Sequence, residues 1–133
     1  MKPRPIAFIV PVIWAIVIYV LLTMPNNDIP KLSFLDAIYF DKWVHAGLFA
    51  MLTFLFSWPF SKLYPAQHRI FVSIAVLALL YGIAMEYVQK YFTSDRDFDI
   101  NDMLADGFGC IVGYIATRYI VNRIRLRLKN KPL

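Results

Sequence analysis

Residues 70–88 read IFVSIAVLALLYGIAMEYV and carry no charge before Glu86. A hydrocarbon core of roughly 30 Å takes about 20 helical residues to cross, and inside it every backbone N–H and C=O must find a partner within the protein. The stretch therefore reads as a transmembrane helix. Three further runs, 6–24, 43–60 and 103–121, have the same character. Across the 133 residues, 59% are hydrophobic and 17% are charged, a balance that excludes a soluble domain of this length. The expected fold is an all-α integral membrane protein. It forms a single domain over residues 1–133, with four transmembrane helices in a small bundle and a basic tail at 122–133.

The run at 6–24 follows Lys2 and Arg4, as the core of a signal peptide would, but Thr23, Met24, Pro25 and Asn26 offer no small-residue cleavage pattern. It reads as a retained anchor. Pro11 within it removes a backbone donor and predicts a bend without a break. Orientation follows from the cationic residues. Placing both termini and the loop at 61–69 in the cytoplasm leaves ten Lys and Arg inside, and only Lys31, Lys42, Lys90 and Arg96 outside. That is the asymmetry of the positive-inside rule. The basic tail then lies against the anionic inner leaflet, which favours lipid anchoring over nucleic-acid binding. In the loop at 25–42, Leu32, Leu35, Ile38 and Tyr39 have the spacing of a short amphipathic helix capped by Ser33. It is expected to lie at the interface, beside or over whatever polar groups sit there.

Those polar groups are His45, Glu86, Arg96, Asp99, Asp102 and Asp106, all at or near the outer ends of the spans. A titratable side chain in such a place is costly and marks a site. Asp102 and Asp106 are four apart, so a helix stacks them on one face, and Gly109, Gly113 and Ala116 continue nearly the same stripe. Small residues in such a row let another helix approach closely. The neighbour is either a helix of the same chain or a second copy, giving a homodimer through Gly109 and Gly113. Asp106, about one turn inside the fourth span, needs a partner, and His45 and Arg96 are the candidates. Glu86 with Gln89, and Asp41 with His45, provide one polar corner on each of the other two helices.

Several of these residues also have structural explanations. Asp99 stands where an N-cap of the fourth span would, Asp102 suits its first turn, and Asp41 suits a cap of the second. Lys42 and Lys90 are expected to extend to the interface. Cys110 is the only cysteine, so neither an intrachain disulfide nor a thiolate metal cluster is available. Glu86 and Asp106 lie in or beside apolar sequence, where capping does not account for them.

The pattern Asp41-Lys42-x-x-His45, then Glu86-x-x-Gln89, then Arg96-x-x-Asp99-x-x-Asp102-x-x-x-Asp106-x-x-Gly109 resembles the VanZ-like family of small bacterial membrane proteins. The resemblance covers about residues 10 to 120. It implies a multi-pass protein of the bacterial cell (inner) membrane, in a family named for a protein associated with resistance to the glycopeptide teicoplanin. Its polar motif falls here on His45, Glu86, Gln89, Arg96, Asp99 and Asp102. This chain departs from it at Asp106, where the family usually has Asn.

Three functions fit these residues. In the first, the outer corner binds the head group of a lipid or envelope precursor. Arg96 would grip a phosphate or carboxylate, His45 and Gln89 would hydrogen-bond it, and Glu86 and Asp102 would orient Arg96 and His45. Asp99 belongs to the same set, and no cofactor is needed. The second uses the acidic excess: His45, Glu86, Asp102 and Asp106 hold a divalent cation, or Glu86 and His45 act as an acid and base pair, on a lipid phosphate. No ligand spacing of the His-Glu-x-x-His kind is present, so no catalytic residue is assigned and binding is the preferred reading. The third is an ion-pair network that fixes helix packing and takes no ligand. Membrane lipids are the expected partners in the first two.

Overall fold

The structure is a computed structural model and describes residues 2–25, 34, 39–93 and 97–130. The described residues form helices and their connections, with no strand. A 3-10 turn, Pro5–Phe8, runs directly into α1, Ile9–Thr23; α2 spans Phe40–Ser61, α3 His68–Phe92 and α4 Ile100–Lys129. All four are long and apolar enough to cross a membrane. The expected anchor, loop and tail boundaries shift in the process. The irregularity expected at Pro11 takes the form of a change from 3-10 to α geometry two residues earlier. Pro11 is then in the first turn of α1, where a backbone N–H has no intrahelical acceptor to lose.

At the other end of the chain, α4 does not stop at residue 121. Its 30 residues measure about 45 Å at 1.5 Å per residue, longer than a hydrocarbon core of about 30 Å. The basic residues that read as a tail are its last turns, and residues 122–130 are exposed throughout. The amphipathic segment expected around Leu32, Ser33, Leu35 and Ile38 lies outside the described residues. Tyr39, which closes it, has φ 52° and ψ 43°, in the left-handed region. Its carbonyl accepts from the N–H of Lys42 at 3.0 Å. Tyr39, then, occupies the N-cap of α2. Asp41, expected as that cap, sits instead in the first turn, where the helix dipole favours it.

α2 and α4 form the most extensive helix pair, with α3 packed against both and α1 against α2 and α3. The close approach of α2 and α4 follows from the glycine stripe. A Cβ on Gly109 would collide with the Ala46 carbonyl oxygen, and one on Gly113 with the Ala50 carbonyl and, at 2.9 Å, with Thr53. The stripe therefore packs within one chain. The homodimer expected through Gly109 and Gly113 finds both glycines already covered by α2. Gly109→Ala is expected to force these helices apart and to destabilise the bundle by about 1–3 kcal/mol, the usual range for overpacking. A lowered thermal midpoint in detergent measures it, and an unchanged midpoint would contradict the packing.

Phe49, Phe71, Ile18 and Met85 are buried between the helices. Outward, Ile13, Leu77, Leu104, Ile111 and Ile115 are each more than half exposed, as side chains facing lipid should be. Trp14 Nε1 donates to the Leu48 carbonyl at 3.0 Å and Tyr81 Oη to the Ala15 carbonyl at 2.7 Å. These bonds tie α1 to α2 and α3. Away from the polar corner, Arg118 Nη1 donates to the Pro65 carbonyl at 2.9 Å and its guanidinium lies over Phe71, which pins the α2–α3 connection against α4.

Candidate functional site

The polar residues of three helices meet at one end of the bundle. From α2 come Lys42 and His45, one turn apart. α3 contributes Glu86, and α4 contributes Asp102 and Asp106, preceded by Asp99 at its N-cap. His45, Glu86 and Asp106 are fully buried. Such a cluster forms only because Asp102 and Asp106 share one face of α4 and the glycines beyond them draw that face onto α2.

His45 Nδ1 lies 2.8 Å from Asp106 Oδ1. Of the two partners expected for Asp106, the structure supplies His45; Arg96 lies outside the described residues. On the other side of the ring, His45 Nε2 is 3.8 Å from Asp102 Oδ2, beyond hydrogen-bonding distance. Glu86 Oε2 accepts the backbone N–H of Asp99 at 3.1 Å, which fastens the start of α4 to α3. Three buried atoms in the cluster have no hydrogen-bond partner: His45 Nε2, Glu86 Oε1 and Asp106 Oδ2. Desolvated polar atoms of this kind cost about 1–3 kcal/mol each.

The rim of the cluster is more open. Lys42 Nζ donates to Asp99 Oδ2 at 2.6 Å and also to Asp102 Oδ1. Its side chain is 26% exposed, against 37% for Asp99 and 11% for Asp102. The sequence predicts that Lys42 extends to the interface. Instead it turns inward and neutralises two carboxylates of α4, because α4 starts within its reach. Asp41 is 3.6 Å from Lys42 and largely exposed, at the outer edge of the cluster, where it lies near His45 and Asp102.

Asp99 is both cap and partner. Its side chain accepts the N–H of Asn101 at 2.8 Å, and the Lys42 ammonium beside it holds its carboxyl below the ordinary carboxylate range. A depressed carboxyl stabilises the fold fully above its unfolded pKa of about 3.9, and that contribution disappears as pH falls through the folded value. The thermal midpoint is expected to fall as pH drops below about 4, and Asp99→Asn to flatten that dependence. A wild-type slope retained in the variant would assign the acid sensitivity elsewhere.

Gln89 takes a different role from the one expected. Its Nε2 donates to the Leu22 carbonyl at 2.8 Å, and Leu22 lies in the last turn of α1, where a carbonyl lacks an intrahelical donor. Its amide nitrogen thus caps α1 instead of facing the cluster. Gly82 was not singled out from the sequence. A Cβ there would stand 2.6 Å from Asp106 Oδ2, so the absence of a side chain makes room for that carboxylate. Its place one turn before Glu86 on a helix face was the available signal.

The model of the family described as VanZ/LLP1 matches residues 5–122. No curated protein and no solved structure matches the chain.

Proposed function

The chain belongs to the VanZ/LLP1 family, and from that premise we propose that its polar corner binds the head group of a membrane lipid or lipid-linked envelope precursor. The supporting observation is that the cluster is open on one side. Side-chain exposure falls from 37% at Asp99 and 26% at Lys42 to 11% at Asp102, 1% at His45 and 0% at Asp106. A network serving helix packing alone has no need of such an opening.

The distribution of Lys and Arg supports cytoplasmic termini and hence an outward-facing corner in a bacterial inner membrane. Lys42 is occupied by two carboxylates. The anionic part of a head group is therefore assigned to Arg96, and its hydroxyl or amine donors to the carboxylates of the corner. Holding an envelope precursor there would connect this chain with the teicoplanin resistance that the family resemblance implies.

Native mass spectrometry of the detergent-purified protein tests the reading. A defined lipid should co-purify with the wild type and be lost from Arg96→Ala while helical content and thermal midpoint hold. Absence of any lipid from the wild type, with a destabilised variant, would leave packing as the role of the cluster.

A further inference from the structure

We propose that His45, Glu86 and Asp106 bind one divalent metal ion between α2, α3 and α4, with zinc or manganese as the preferred ions. One ligand atom from each residue lies within 4.8 Å of the other two, and all three side chains are buried. The second observation concerns the unpartnered atoms. Glu86 Oε1 and Asp106 Oδ2 are buried without a hydrogen bond, and among the described residues the nearby cation, Lys42, is already held by Asp99 and Asp102. Burial disfavours ionisation of two such carboxyls, and a divalent ion offsets both charges at a single point when they deprotonate to bind it.

The histidine geometry suits the same ion. Nδ1 of His45 and Oδ1 of Asp106 face each other at 2.8 Å, and an opening of about 0.5 Å brings them to the spacing of adjacent ligands on a tetrahedral ion with bonds of about 2.0–2.1 Å. When the ion takes Nδ1, the ring hydrogen moves to Nε2, which faces Asp102 Oδ2 at 3.8 Å. A carboxylate receiving the second ring N–H is the usual orienting partner of a metal-bound histidine, and closing the 3.8 Å gap to a hydrogen bond takes a shift of about 0.8 Å by Asp102 or the ring on metal binding. Asp102 is accordingly a positioning residue, and Lys42 fixes it from the rim. One imidazole nitrogen with two carboxylates suits zinc or manganese better than magnesium or calcium, which favour oxygen throughout. The ion is held by side chains of this chain alone, so the site is independent of any head group.

The test is titration of chelator-treated, delipidated protein in detergent with Zn²⁺ and with Mn²⁺, followed by calorimetry and thermal midpoint. One ion per chain should bind and raise the midpoint. Asp106→Asn, which keeps an acceptor for His45, and Glu86→Gln should each weaken affinity at least about tenfold, the scale on which even indirect partners of a metal act, with helical content unchanged. Asp41→Asn should bind as the wild type does, which separates this site from a second grouping of Asp41, His45 and Asp102. Absence of saturable binding in the wild type overturns the proposal. So does binding that survives both carboxamide variants, or binding lost in Asp41→Asn.

Discussion

His45→Leu is expected to destabilise the bundle by about 3–5 kcal/mol, the range for removing one partner of a buried charged pair. Among the described residues the imidazole is the group hydrogen-bonded to the Asp106 side chain, and Asp106 has no access to water. Leucine leaves that carboxylate without a donor while filling a similar volume, so the loss is electrostatic and not a matter of packing. Asp106→Asn in the His45→Leu background should recover much of the loss by removing the stranded charge. Thermal or denaturant unfolding in detergent measures both. If the double variant is no more stable than His45→Leu, the pair does not act as described.

Lys42→Met should have the second largest effect. Asp99 and Asp102 lose their shared cation, and hydrogen bonds to a charged group contribute about 1.5–3 kcal/mol. The site of damage is the first turn of α4, which Asp99 caps and Glu86 holds through the Asp99 N–H. Amide exchange at Asn101, Asp102 and Met103 should rise before exchange elsewhere in α4. Adding Asp102→Asn should restore part of the protection. A uniform rise along the whole helix would mean that Lys42 supports the bundle generally and not the start of α4.

Much of this arrangement was legible in the sequence. The four spans follow from length and hydropathy, because lipid leaves the backbone no alternative to the helix. That Asp102 and Asp106 share a face, and that Gly109 and Gly113 carry a packing surface, follows from helical spacing alone. The partners follow only in part. His45 is one of two candidates for Asp106 and is the one found, but Lys42 and Asp102 are 60 residues apart, and spacing rules relate residues within one helix and say nothing of which lysine a neighbouring helix end will meet. For the same reason Lys42 read as an interfacial residue and Gln89 as a ligand, although Gln89 reaches 67 residues back to the end of α1. The close contact of α2 and α4 was equally invisible as to partner. A row of glycines announces that something will approach, and only the fold says what.

The order of the helices, with α4 after α2 and α3, has a consequence for biogenesis. During synthesis α2 and α3 emerge first, carrying His45 and Glu86, and the groups that meet them, Asp106 and the Asp99 N–H, arrive only with the fourth helix. Until then an early intermediate holds polar side chains in or near the bilayer without their counterparts, a situation that costs about 2.5–3.5 kcal/mol per ionised group near the bilayer centre on insertion scales. The fourth helix therefore completes both the four-helix bundle and its polar corner. A chain halted after α3 keeps His45 and Glu86 without those partners, and docking of α4 supplies both.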